Sequence, residues 1–398
     1  MEEHAAIGSR IRALREELGV QAQELGSRVG LDPSAISNIE RGRRSVKSDE
    51  LAAIAKALGV SPLAILEPES LVGRLPVAPR ASSGTLLKGD VLSRLTGLAE
   101  LHEVLAEGGL KAHEQAKVQR VDTEHWFRTA PKLAAGVVSQ LERDVPGDDR
   151  FVALVRAIEE QFFIDVLVEE RDTDDVLGAS ITDSEFSLIF VNANQQVTRA
   201  LFTLGHELGH TLAKDGRNSI VVDDDLTARS DSERFANAFA AALLLPEEEI
   251  RAQIPTGVPD ALTLCRLLDH WGTSFETLVY RLHNLRMINA EGRDRLRSLG
   301  LRGLVAQIND QQLTARLMAR VGSRPARHTP SLIAARAYAG YRQGAISARP
   351  LAGLFGIDPH IVSATMDLDA EMALGEAIDP GDFGSYSNDD LYGGSPIE

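Results

Sequence analysis

Two histidines four residues apart, with a glutamate beside the first, are the residues of this chain best suited to hydrolytic chemistry: His206-Glu207-Leu208-Gly209-His210. On a helix, positions four apart stand one above the other, so His206 and His210 can each offer a ring nitrogen to one metal ion. Glu207 is turned about 100° from His206 and can serve as general base toward an attacking water. Zinc suits this donor set, and a catalytic zinc usually takes three protein ligands and leaves one position open. Candidates for the third ligand lie downstream: Asp223, Asp224, Asp225, Asp231 and Glu233. The aspartates at 223–225 sit in a polar stretch that reads as a solvated loop. Glu233 instead opens an alanine-rich helical segment stopped by Pro246, and Asn237 lies one turn on, able to hold its carboxylate or a substrate group. His206, His210 and Glu233 are the expected ligand set.

The elements that must position these groups can be traced in the pattern. Ser187 to Val191 is an apolar run of strand length, and Asn192 and Asn194 can cap a helix after it. From Gln195 the spacing turns helical, with Val197, Leu201, Leu204 and Leu208 on one stripe. Gly205 and Gly209 each cost about 1 kcal/mol in a helix interior relative to Ala, so a glycine before each histidine predicts close approach of another backbone or a ligand. Upstream, 162–168 and 177–182 look like further strands, a small sheet whose edge can pair with an extended peptide.

These residues carry a resemblance. Ile189-Phe190-Val191-Asn192, Arg199, Phe202-Thr203, the His-Glu-Leu-Gly-His run, Glu233 through Asn237 and Leu244-Leu245-Pro246 together resemble the ImmA/IrrE family of zinc metallopeptidases, itself similar to the gluzincins. The resemblance implies Glu207 as catalytic base, Glu233 as third zinc ligand and Arg199 as a basic position near the site. It also implies a substrate class, the helix-turn-helix repressors of mobile elements or stress responses.

The N-terminal residues form a second pattern. Ile7, Ile11, Leu14 and Leu18 mark a first helix stopped at Gly19, and Leu25 and Val29 a second closed by Gly30. Asp32 can cap a third helix with Pro33 at its first position and Ile36 and Ile39 inward. Leu51, Ile54 and Leu58 mark a fourth, and a fifth starts at Pro62 with Leu63 and Leu66. Five short helices in under seventy residues, with Ala35 to Arg43 as recognition run, resemble the XRE (lambda-repressor-like) DNA-binding domain; that family's usual Gln near the start of helix two is replaced by Ala22. In such a domain Ser34, Ser37 and Asn38 face base edges, while Arg41, Arg43 and Arg44 meet phosphates. Residues 1–66 hold nine basic and nine acidic side chains, a neutral balance rather than the basic footprint of a tight DNA binder.

The 398 residues carry a formal charge of −16 and 43% apolar residues. That charge speaks against general adhesion to nucleic acid or membranes outside the N-terminal domain. Cys265 is the single cysteine, which fits a reducing cytoplasm. No signal peptide or spanning segment is visible, so a cytoplasmic protein is expected. The fold expected is mainly α and multidomain. It comprises a five-helix helix-turn-helix domain at 1–68, a linker at 69–89 and a helical connector at 90–147. An α+β zincin-like metallopeptidase core at 148–255 follows, then a helical C-terminal region at 256–375 and an acidic disordered tail at 376–398. Outside the motif, His102, His113, His125, His270, His283, His328 and His360 lack ligand spacing and read as packing or surface residues.

Two function classes follow. In the first the chain is a zinc endopeptidase and transcriptional regulator that binds DNA and cleaves a partner, an HTH repressor. In the second it is a DNA-binding antitoxin or repressor of a toxin–antitoxin or mobile-element module, with the zinc domain as sensor or toxin-binding platform. A homodimer is compatible with either.

Overall fold

The computed structural model describes residues 2–17, 20–58, 62–66, 89–112, 121, 123–141, 147, 149–171, 176–183, 186–213, 219–223, 230–254 and 259–365. The expected linker up to residue 88, His113, Asp224, Asp225 and the acidic tail lie outside the described residues.

Five helices build the N-terminal domain: α1 (Glu2–Glu17), α2 (Ala22–Val29), α3 (Pro33–Glu40), α4 (Ser48–Leu58) and α5 (Pro62–Leu66). Their apolar stripes meet in one core that contains Ile11, Leu25, Ile36, Ile39, Ile54, Leu58 and Ile65. Leu66, expected inside, is 40% exposed, and Ile65 is buried in its place; adjacent helical positions are about 100° apart and cannot both face the core. Gly30 closes α2 at φ 70°, a left-handed conformation that glycine adopts without strain. Asp32 does occupy the N-cap of α3, but its side chain makes no capping bond; its carbonyl accepts from Ala35 and Ile36 instead.

Two tertiary contacts fix this domain beyond what periodicity predicts. Arg15 reaches from α1 to Glu40 at the end of α3 with bonds of 2.6 and 3.0 Å, and donates to the Val20 carbonyl at 2.9 Å. Gly8 lies where α1 crosses α3: a Cβ there would stand 2.0 Å from the Ile39 carbonyl oxygen. Backbone cannot yield as a flexible side chain can, so Gly8→Ala is expected at or above the upper end of the roughly 1–3 kcal/mol cost of overpacking. Operator binding should fall with zinc content unchanged; full DNA affinity in this variant would show that α1 does not hold α3 in place.

The second part is organised by a sheet of β1 (Asp165–Glu169), β2 (Gly178–Thr182), β3 (Ser187–Asn192) and β4 (Ser219–Asp223), in the order β1-β3-β2-β4. β1 and β3 are parallel, while β2 is antiparallel to β3 on one side and to β4 on the other. The apolar run in β3 is explained by burial on both faces. Ile189 and Val191 face a core shared with Val166 and Val168, whereas Leu188 and Phe190 face a second core with Leu167, Ala179 and Ile181. Phe162 and Phe163, expected in the first strand, do not join it. Phe162 completes the i, i+3, i+4 stripe of α8 (Arg150–Phe162), and Phe163 takes φ 53° to end the helix.

Helices cover both faces. The stretch expected to connect the domains contributes α6 (Gly89–Glu107), whose Leu95, Leu98 and Leu105 pack on one face together with α16 (Ser331–Arg342) and α17 (Ala348–Phe355). Val104, on the opposite side of α6, is 47% exposed. On the other face lie α7 (Trp126–Val138), α8, α9 (Val197–Ala213) and α10 (Asp231–Leu244). A third core joins α11 (Glu247–Gln253), α12 (Ala261–Trp271), α13 (Phe275–Asn284), α14 (Ala290–Val305) and α15 (Gln311–Gly322), and buries Cys265. The outer edge of β1 is met by His328, through paired backbone bonds with Val168 of 2.9 and 3.0 Å.

Candidate metal centre

Glycine spacing is what brings two helices close enough to build the site. Along α9, a Cβ on Gly205 would sit 3.4 Å from the Ala240 Cβ, and one on Gly209 would sit 3.2 Å from the Ala236 Cα. The backbone approach expected from these glycines is therefore that of α10, whose Phe235 and Phe239 are fully buried alongside. Ser230 caps α10 by accepting from the Glu233 N–H, which sets Glu233 in the first turn, facing α9.

Three side chains converge there. His206 Nε2 lies 3.1 Å from His210 Nε2 and 3.3 Å from Glu233 Oε2, and His210 Nε2 lies 3.4 Å from Glu233 Oε1. Zinc–ligand distances near 2.0–2.1 Å at tetrahedral angles separate neighbouring ligand atoms by about 3.3 Å. The three residues thus form a possible metal-binding triad, with all their ligand atoms within 4.8 Å of one another.

Hydrogen bonding behind the rings supports the same fit. His206 Nδ1 is 3.1 Å from Asn237 Oδ1, an acceptor, so Nδ1 carries the proton and a neutral ring turns its Nε2 lone pair toward Glu233. His210 Nδ1 is 3.2 Å from Ser232 Oγ. Lone-pair atoms this close repel unless a cation or a shared proton lies among them. Burial alone raises the Glu233 pKa, but His206 and then His210, when protonated at Nε2, outweigh it by hydrogen bonding and hold the carboxyl below the usual carboxylate range. An ionised carboxylate with two imidazoles is a zinc-type donor set.

Glu207 is fully buried on the sheet side of α9. Its Oε1 lies 2.7 Å from where a Gly178 Cβ would stand, and Thr203 Cγ2 lies 2.6 Å from that point. Gly178 therefore makes the room that the Glu207 carboxylate occupies. A glycine inside a predicted strand is the signal that could have found it. Ser232 carried no such signal, because nothing in the spacing ties it to His210.

Other expected residues fall elsewhere. Arg199 is exposed and, among the described residues, makes no hydrogen bond or ion pair to the triad. Asn192 and Asn194 do not cap α9. Asn192 Oδ1 accepts from Arg171 N and Asn194 N, and Gln195 Nε2 donates to Leu177 O and Asn192 O, tying the turn to the start of β2. Asp231 is half-exposed and pairs with Arg234. His102 packs on Phe186 at 4.6 Å, and burial pushes its pKa down to about 4.

In the N-terminal domain Ser34, Arg41 and Arg43 are exposed, and Ser37 and Asn38 are partly so. Arg44 is engaged, donating to Glu50 across the turn before α4, so it is less available to a phosphate than its neighbours.

Residues 159–283 match the family described as the IrrE N-terminal-like domain, and residues 11–65 match the helix-turn-helix family. The uncharacterized HTH-type transcriptional regulator y4dJ of Sinorhizobium fredii is 35% identical over 68 residues, which are 17% of this chain and 88% of that protein. Among solved structures, the apo form of the competence regulator ComR from Streptococcus vestibularis matches over 80% of this chain and 97% of its own. Its identity of 13% and TM-score of 0.16 are too low to bear on the fold. No described helix is long and apolar enough to cross a membrane.

Proposed function

This chain belongs to the helix-turn-helix transcriptional regulators and carries an IrrE/ImmA-like peptidase domain, and from that premise we propose that it is a zinc endopeptidase that cleaves a partner protein, a helix-turn-helix repressor. The observation that carries the reading is the convergence of His206, His210 and Glu233 at 3.1–3.4 Å with Glu207 one residue from the first of them. His206, His210 and Glu233 would hold the ion, with Asn237 and Ser232 orienting the two imidazoles from behind. Bound zinc supplies Lewis acidity, polarising a peptide carbonyl and making water a stronger acid. Glu207 takes the proton of the attacking water and delivers it to the departing amine, so that one carboxylate acts first as base and then as acid. Its burial beside Gly178 limits the positions that its oxygens can take.

The DNA-binding end brings this chemistry to a regulated locus. Ser34, Ser37 and Asn38 lead α3 into the major groove, and Asn38 is suited to bidentate contact with adenine. Arg41 and Arg43 neutralise phosphates, and Arg44 contributes less because of Glu50.

One observation favours the second reading. His206, Glu207, His210 and Glu233 are each at most 4% exposed, which equally suits a zinc-stabilised platform that binds a toxin without cutting it. Incubating the zinc-loaded chain with repressors and toxins encoded beside its gene separates the two. Repressor fragments that vanish on chelation are the expected result; a stable toxin complex with no fragments would reject proteolysis.

A further inference from the structure

We propose that residues 331–365 are a second helix-turn-helix unit, and that it joins two copies of this chain rather than reading DNA. The unit repeats the N-terminal one. Shifting the sequence so that Ala22 falls on Ala348 also sets Leu25 on Leu351, Gly30 on Gly356, Asp32 on Asp358, Pro33 on Pro359 and Ser37 on Ser363. The backbone repeats with it. α2 and α17 each run eight residues and end at a left-handed glycine, Gly30 at φ 70° and Gly356 at φ 66°. Leu31 N donates to Gly26 O at 2.9 Å, and Ile357 N to Ala352 O at 3.1 Å. Ala35 N donates to Asp32 O at 2.8 Å, and Ile361 N to Asp358 O at 2.9 Å. A helix follows in both cases, α3 from Pro33 and the helical residues 359–365. Under the same shift α16 takes the place of α1, with Ile333 and Ala337 on Ile7 and Ile11.

The surface differs between the two units. Asn38, suited to adenine, is matched by Ala364, and Arg41 and Arg43 by Asp367 and Asp369. Acidic side chains at phosphate-facing positions repel DNA. What the second unit exposes instead is apolar. Val29, Leu31 and Ala35 are partly buried in the first unit, where α4 packs on α2 and Ala57 O accepts from Arg28 at 3.3 Å. Their counterparts Phe355, Ile357 and Ile361 are 50%, 42% and 54% exposed. α6 meets the end of α17 through Arg94, at 3.0 Å to Gly353 O and 3.2 Å to Leu354 O, and leaves these three side chains open. The first unit thus shows what such a face takes, an apolar helical surface. The face is itself one, so a second copy related by a two-fold axis covers it with the same three side chains. Arg349 and Asp358, both exposed, give the unit both signs, and a two-fold arrangement can set each against its opposite. Leu351, Ala352 and Leu354 pack on the sheet face opposite the one that carries α9 and α10, so pairing leaves the metal triad open. It also brings together the two copies that read two half-sites of an operator.

Sedimentation equilibrium of the zinc-loaded full chain tests this. The parent should be a dimer, and Phe355→Ser with Ile361→Ser should raise its dissociation constant by about tenfold or more, as removal of central apolar anchors does. Both positions are exposed, and zinc content should stay at the parent value. Affinity for an operator with two half-sites should fall with the dimer, while affinity for a single half-site should not change. Ile361→Cys covers the case in which the double variant does not fold. Cys265 is buried, so mild oxidation should give a covalent dimer through position 361. A monomeric parent, or a double variant as dimeric as the parent, would overturn the proposal. So would a double variant that keeps its mass and loses affinity for duplex DNA of random sequence, since the unit would then be a second DNA reader. A chain that dimerises only when shortened after Thr365 would overturn it as well, because residues 366–398 would then be the cover.

Discussion

Glu207→Gln should keep zinc at full occupancy and lower cleavage of the partner by about 10²–10⁴-fold, the usual contribution of a positioned general base. The amide is nearly isosteric with the carboxylate, and Glu207 is not among the three converging ligands, so neither metal affinity nor packing should change much. What is lost is the capacity to accept a proton. Zinc content by atomic absorption and partner cleavage by electrophoresis measure the two halves of this expectation. Gly178→Ala supplies an independent version, since it leaves Glu207 chemically intact but places a Cβ 2.7 Å from Oε1. Cleavage should fall and zinc should remain. If Glu207→Gln still cleaves at the parent rate, the base is another group and the carboxylate beside Gly178 is structural.

Much of this site was legible because helix periodicity is a short-range rule. His206 and His210 share a face by spacing alone, and Gly205 and Gly209 announced a close neighbour that proved to be Ala236 and Ala240 of α10. The doubly buried β3 was visible as an unbroken apolar run. Less legible were features that depend on which element lies across a gap. Ser232 meets His210 only because α10 is set at that register against α9. Gly8 matters because of the Ile39 carbonyl on another helix, and Gly178 because of Glu207 on another element. Asp223, which the polar run 223–225 places in a loop, instead ends the strand 219–223, because the pairing of that strand is decided by β2. Phe163 shows the same limit from the other side: its apolar character suggested strand, and its positive φ instead ends a helix.

Glu233→Ala should reduce zinc occupancy more deeply than any change behind the imidazoles, because it removes a ligand and the only negative charge in the triad. Loss of an imidazole's hydrogen-bond partner typically costs about 10–100-fold in metal affinity. Asn237→Ala, which deprives His206 Nδ1 of its 3.1 Å acceptor, should therefore fall in that range, and Glu233→Ala beyond it. Ser232→Ala should stay at or below the Asn237 effect, because a hydroxyl constrains the ring less than an amide oxygen fixed on the same helix face. The order is informative because a merely destabilised fold would not produce it: all three side chains lie on α10, and damage to that helix would lower zinc binding in each alike. Glu233→Gln separates charge from shape, keeping the volume while removing the anion, and should lose zinc nearly as fully as the alanine. Retained operator binding would show the N-terminal domain intact in every variant. If Glu233→Ala instead titrates with zinc as the parent does, the third ligand is elsewhere. Asp231, two residues before Glu233 in the first turn of α10 and paired with Arg234, is then the first position to change, because it is the sequence candidate nearest to Glu233, although it lies on nearly the opposite face of the helix.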